Sequence, residues 1–236
     1  MALNIFFDYG GTLMDIASDG IAHYYLMEII KSKFGLKKDV ETLTKEYNES
    51  VAKSYAVADC VYRNGLENSM QTLSNLLSNE NVKLDKDFSI WFRKMYLEVH
   101  AKHVRLFPEV IEVLKELRKR GIPLGLISDV DNDFIYSQLE VHNLKDFFIT
   151  VVTSEEVGVC KPHKKIFEVA LNRINARAEE SIYVGDHAER DMMGAKRLGM
   201  TTVIRGKLCK YADYSINDLR ELLPIIEKIT KALRID

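Results

Sequence analysis

At 236 residues, with 47% hydrophobic and 29% charged side chains, the chain has ordinary globular composition, with length for one large α/β unit or a core plus a smaller partner. Lysine and arginine (33) nearly balance aspartate and glutamate (35); a net charge of −2 advertises no phosphate-backbone binding, and nucleic acid is not an expected partner. No apolar run approaches the roughly 18–20 residues that span a bilayer, so no membrane partner is expected.

The N-terminal segment meets acid too soon to read as a signal peptide. Cys60, Cys160 and Cys209 are widely spaced, with no Cys-x-x-Cys pair. That usage fits a reducing compartment, so a cytoplasmic protein is expected, without a disulfide framework or structural zinc.

Leu3 to Tyr9 is an apolar run carrying Asp8 at its end and followed by Gly10-Gly11, which predicts a buried strand. From about Met14 to His103 the phases of Ile21, Tyr24, Leu26 and Ile29, and later Trp91, Met95 and Val99, predict helices joined by polar turns. The expected division is therefore a core of residues 1–15 and 104–236 around a helical insert, 16–103. After Phe107 a regular alternation follows. Pro108 suits a first helical position and Gly121 a helix stop behind Arg118-Lys119-Arg120. Strands are predicted over 122–128, 147–153, 181–186 and 201–205, and helices over 133–141, 162–174, 190–198 and 216–233. Strands alternating with helices imply crossovers and a doubly wound parallel sheet of α/β class.

In such a sheet ligands bind beyond the carboxyl ends of the strands. Those ends carry Asp8, Ser128 and Asp186, with Lys161 just before a helix and Asp191 just after a strand. Converging carboxylates without cysteine or histidine suit a hard cation, and Mg²⁺ typically binds one or two carboxylates plus substrate phosphate. Lys161 and Ser128 would hold the remaining phosphate oxygens. Asp8, before a glycine pair, is the candidate nucleophile for an acyl-phosphate route.

At these residues the sequence resembles the haloacid dehalogenase-like superfamily, in the group with a helical cap between the first and second motifs. The phosphatase motif Asp-x-Asp-Gly-Thr-Leu corresponds to Asp8-Tyr9-Gly10-Gly11-Thr12-Leu13. The second motif matches Leu124 to Ser128, the third Gly158 to Pro162, and the fourth Val184-Gly185-Asp186 through Asp191, then Gly194-Ala195. The resemblance implies Asp8 as nucleophile and metal ligand, the Gly10 carbonyl as a backbone ligand, and Asp186 supported by Asp191 as further ligands. It also implies that Thr12, Ser128 and Lys161 contact or position the phosphoryl group of a small phosphorylated molecule.

The sequence departs from that pattern at Gly10, where the phosphatases carry the aspartate that protonates the leaving group. Such assistance contributes typically 10²–10⁴-fold. Three explanations stay open: another donor such as His187, Tyr9, Asp15 or a cap residue; a substrate with a good leaving group; or a weak or non-catalytic binding role. The 2-haloacid dehalogenases also lack that aspartate, but they lack the acidic pair at Asp186 and Asp191 as well. A phosphonoacetaldehyde hydrolase-like reading would need a cap lysine, and Lys33 and Lys53 match no such motif. Cys160 has Ile166 where a cysteine phosphatase needs arginine. His100 and His103, at i and i+3, could share a helix face and bind a metal, but without cysteine or acidic partners in phase they read as surface or hinge residues. Tyr55, Tyr62, Arg63 and Asn64 are the suggested cap contacts to substrate.

Overall fold

Apolar strands shielded on both faces form the centre of the computed structural model, which describes residues 3–55, 60–78, 82 and 84–233. The strands are β1 (Asn4–Phe7), β2 (Leu124–Ser128), β3 (Thr150–Thr153), β4 (Ser181–Gly185), β5 (Thr201–Arg205) and β6 (Tyr214–Ile216). They form one sheet in the order β3-β2-β1-β4-β5-β6, every neighbouring pair parallel. Side chains alternate between faces. Ile5 and Phe7 join Leu126, Ile182 and Val184 on one side, while Phe6 joins Ile127, Val152 and Tyr183 on the other.

The first face is covered by α5 (Val110–Lys119), α6 (Asn132–Val141) and α10 (Leu222–Leu233), which bury Val113, Leu117, Ile135, Leu139, Leu222 and Ile226. The second is covered by α8 (Lys164–Arg173), a π-helical turn over Ala188–Met193 and α9 (Gly194–Lys196). A short helix, α7 (Ser154–Val157), follows β3. Strand order reverses direction at β1 and β4, which makes their carboxyl ends the switch point where a crevice opens.

Between β1 and α5 run four helices: α1 (Ile16–Phe34), α2 (Val40–Tyr55), α3 (Gly65–Leu76) and α4 (Lys86–His103). Asp15 starts α1 by accepting the Ala17 N–H at 3.0 Å, and Gly35, at φ 62°, ends it in the left-handed conformation. Leu26, Met27, Ile30, Tyr47 and Phe92 from these helices continue the apolar cluster of the first sheet face.

The structure corrects several boundaries. The helix expected from residue 216 is preceded by β6, because Tyr214–Ile216 pairs with β5 as an edge strand. Asp218 and Glu221 then form a capping box before α10. Pro108 lies before the N-cap residue Glu109 instead of at the first helical position. The strand expected over 147–153 begins only at Thr150, after a 3-10 turn at Lys145–Phe147.

Candidate active site

β1 ends at Phe7, so Asp8 emerges at the switch point, its N–H donating to the Val184 carbonyl of β4 at 2.9 Å. One strand away, β4 ends at Gly185 and Asp186 follows. The two loops approach closely: Gly11 has φ +71°, and a Cβ there would collide with the Asp186 carboxylate. Carboxylate oxygens of Asp8, Asp186 and Asp191 all lie within 4.8 Å of one another.

Lys161 crosses this acidic group. Its ammonium donates to Asp8 Oδ1 and Asp191 Oδ1, both at 2.7 Å, and to the Tyr183 hydroxyl at 3.2 Å. Its backbone N–H donates to Asp129 Oδ1 at 2.9 Å, fixing the loop that carries it. Asp191 is held from the other side, its Oδ2 accepting the N–H groups of Asp186 (3.1 Å) and His187 (2.9 Å). With two carboxylates against one buried ammonium, the charges do not balance. Burial pushes Asp8 above the usual carboxylate range, with Asp191 and Asp186 adding to the effect despite Lys161. Burial acts on Asp191 in the same direction, but Lys161 and the backbone donors outweigh it and hold Asp191 below that range. Asp186, more open to solvent, is raised by lost hydration and by Asp191. Lys161 stays charged, its carboxylate partners overcoming the cost of burial.

A cavity of about 220 Å³ opens above these groups, lined by Asp8, Gly10, Ser128, Lys161 and Asp186 from the sheet edge and by Asp19, His23, Tyr47, Arg93 and Tyr96 from the helices. Thr12 stands apart. It is fully buried, does not line the cavity, and its hydroxyl has no partner among the described residues. Of the proton donors considered for Gly10, Asp15 caps α1 and His187 caps the π-helical turn through Nδ1. Tyr9 lines the cavity, but its hydroxyl donates to Gln138 at 3.3 Å. Lys33 stacks over Trp91 at 4.4 Å, and neither it nor Lys53 lines the cavity.

The expected cap contacts are arranged differently. Tyr62 donates to Asp131 Oδ1 at 2.6 Å, Asn64 is the N-cap of α3, and the Tyr55 side chain lies outside the described residues. His100 is not a surface residue: it is fully buried between Asp19 and Tyr96, whereas His103 stacks on Tyr25. Sequence reasoning missed Asp129, Asp131, Arg93 and Arg190. Asp131 accepts from Tyr62, from the Gly65 N–H (2.9 Å) and from Arg93 (2.9 Å), tying the loop after β2 to α3 and α4. Burial works against charge on Arg190, but Asp129, Asp191, Asp8 and Asp186 outweigh it, and the residue lines the cavity. Asp129, Asp131 and Arg190 had nearness to a strand end as their sequence signal; Arg93, inside α4, had none.

The acidic donor set fits a hard divalent cation: the donors are oxygens, and a cation would relieve the repulsion that raises Asp8 and Asp186. A model of the haloacid dehalogenase-like hydrolase family matches residues 5–204. The chain belongs to this family. It is 38% identical over 143 residues to the glyceraldehyde 3-phosphate phosphatase of Methanocaldococcus jannaschii, an alignment covering 58% of this chain and 63% of that one. It is 26% identical to pyrophosphatase PpaX of Oceanobacillus iheyensis over 230 residues, 94% of this chain and 95% of that one. Among solved structures, the HAD-hydrolase YfnB of Bacillus subtilis, bound to magnesium, superposes with a TM-score of 0.75 at 21% identity, covering 96% of this chain and 100% of that one. The fold is thus that of this hydrolase family, an α/β doubly wound parallel sheet. Among the described residues no helix is long and apolar enough to cross a membrane.

Proposed function

We propose that the protein is a Mg²⁺-dependent phosphohydrolase of small phosphorylated molecules that works through an aspartyl phosphate on Asp8. The observation that carries this reading is Lys161, whose buried ammonium bridges Asp8 and Asp191 at the switch point beside Asp186. Relatives named as phosphatases support the substrate class.

Asp8, the Gly10 carbonyl, Asp186 and Asp191 would hold the ion. When bound, Mg²⁺ supplies charge neutralisation for the phosphoryl oxygens and the carboxylates around them. Asp8 attacks phosphorus, the phosphorus–oxygen bond to the leaving group breaks, and an acyl phosphate results. Water then attacks that phosphorus, releasing inorganic phosphate and restoring the Asp8 carboxylate. Lys161 orients the Asp8 oxygen and stabilises charge on the transferred group, Ser128 donates a hydrogen bond to it, and Thr12 shapes the loop beneath. Helices α1–α4, residues 16–103, act as the cap over the core of residues 1–15 and 104–236, excluding water from the cavity. The wide spacing of Cys60, Cys160 and Cys209 along the sequence, with no Cys-x-x-Cys pair, supports a cytoplasmic setting.

Asp15 and His187 do not line the cavity and the Tyr9 hydroxyl is bonded to Gln138, which favours substrates whose leaving group needs little protonation, such as acyl, aryl or diphosphate compounds. The test is hydrolysis of p-nitrophenyl phosphate, acetyl phosphate and an alkyl phosphate with Mg²⁺, in wild type, Asp8→Asn and Gly10→Asp. A Cβ at residue 10 meets nothing nearer than Met14 Cε at 3.8 Å, so the aspartate fits at its root. The expected pattern is aryl and acyl turnover in wild type, loss in Asp8→Asn, and alkyl-phosphate turnover gained by up to about 10²-fold in Gly10→Asp. Undiminished activity in Asp8→Asn would end this reading.

A further inference from the structure

Opposite the sheet-edge carboxylates, the cavity wall holds a second cluster that the proposed reaction does not use. Asp19 and His23 of α1 meet His100 of α4, their ligand atoms all within 4.8 Å of one another. Both rings have their Nδ1 hydrogens committed. His23 Nδ1 donates to Asn48 Oδ1 at 2.6 Å and His100 Nδ1 to the Tyr96 carbonyl at 2.7 Å. A neutral ring held this way carries a bare lone pair on Nε2. His100 Nε2 lies 3.5 Å from Asp19 Oδ1, and His23 Nε2 lies 3.9 Å from Asp19 Oδ2. His100 is 0% exposed, and its Nε2 makes no hydrogen bond. With both rings neutral, two lone pairs face one carboxylate at the edge of the cavity, an arrangement that repels unless a proton or a metal ion sits between them.

We propose that Asp19, His23 and His100 bind a divalent transition-metal ion of the zinc class in the wall of the cavity. Two imidazoles and one carboxylate are the donors such ions prefer, whereas Mg²⁺ prefers oxygen alone. Outward donation of each Nδ1–H to an oxygen is how protein imidazoles are oriented toward a metal. Around a tetrahedral ion at roughly 2.0–2.1 Å, ligand atoms lie about 3.3 Å apart; the two imidazole–carboxylate spacings of 3.5 and 3.9 Å are near that value, and the whole set, within 4.8 Å, would draw in around an ion. Asp19 and His23 line the cavity and His100 does not, so a remaining coordination position of the ion would open to the cavity that Asp8 also lines. An oxygen-bearing ligand in the cavity would complete its coordination.

The experiment uses chelator-stripped full-length protein with excess Mg²⁺ to occupy the sheet-edge carboxylates, titrated calorimetrically with Zn²⁺ and optically with Co²⁺. The expected result is one Zn²⁺ per chain and a visible Co²⁺ spectrum of low-symmetry coordination, both retained in Asp8→Asn. His23→Gln should weaken binding at least about 10-fold, and Asn48→Ala, which keeps all three ligands, by about 10–100-fold. Circular dichroism establishes that each variant is folded; if His100→Gln is not, His23→Gln and Asn48→Ala decide. The proposal is overturned by no saturable Zn²⁺ uptake, by wild-type affinity in folded His23→Gln, or by uptake that Asp8→Asn abolishes. It is equally overturned if histidine NMR shows Nε2 protonated at neutral pH without metal uptake, leaving only an imidazolium–Asp19 ion pair. None of these readouts depends on phosphatase turnover.

Discussion

Two carboxylate-centred clusters face one cavity, and they differ in what offsets the negative charge. At the sheet edge a resident ammonium, Lys161, is shared between Asp8 and Asp191. In the helical wall Asp19 faces the Nε2 atoms of two imidazoles whose Nδ1 hydrogens point away from it. The first cluster is all oxygen and carries its own counter-charge, so it suits a hard ion and an anionic substrate. The second is nitrogen-rich, and it selects softer ions. One cavity thus presents two chemistries, set by which side chains the sheet and the helices deliver.

That contrast can be broken at several points. The largest expected effect is on turnover, with Asp8→Asn reducing phosphate release by about 10³-fold or more in a steady-state assay while Zn²⁺ uptake persists. Next is stability. Lys161→Met leaves buried Asp8 and Asp191 without their ammonium and should cost about 3–5 kcal/mol in urea unfolding of metal-free protein, with part of the loss recovered in Mg²⁺. A loss well under 1 kcal/mol would mean that the ammonium is not the counter-charge.

Asp8→Asn acts in the opposite direction. Because the folded state raises the Asp8 pKa, ionising that carboxylate opposes folding, and the penalty sets in as pH rises above the ordinary carboxylate range. Metal-free Asp8→Asn should therefore be more stable than wild type by about 1 kcal/mol at pH 8, with no gain at pH 4. Thermal unfolding at the two pH values checks the sign; an equal gain at both would show that ionisation is not involved. The smallest effect belongs to the junction between the helices and the core. Tyr62→Phe removes the hydrogen bond to Asp131 and should cost about 1 kcal/mol. Because Asp131 also holds Gly65 and Arg93, the variant should raise KM more than it lowers kcat.

The same contrast separates what the sequence disclosed from what it concealed. Asp8, Ser128 and Asp186 sit at or just beyond the ends of apolar strands, where a local pattern and the rules of parallel sheets suffice to bring them together. Lys161 was legible from its motif, but its bridge to Asp191 follows from a long-range contact with the π-helical turn after β4. β6 was hidden because three residues, Tyr214–Ile216, give too short a pattern to separate from the following helix. The Asp19–His23–His100 cluster was hidden for another reason. Asp19 and His23 share one helical face, but their partner lies far along the chain on α4, and only the packing of α1 against α4 sets the two in register. Arg93 and Asp131 join through the same kind of contact.

The most direct measurement is acid-quenched mass spectrometry of the protein mixed with acetyl phosphate and Mg²⁺, with peptides mapped for a phosphoryl group. A phosphoryl adduct on the peptide containing Asp8, formed at a rate that supports turnover and absent from Asp8→Asn, is the expected result. An adduct on another residue, or turnover at the wild-type rate in Asp8→Asn, would contradict it.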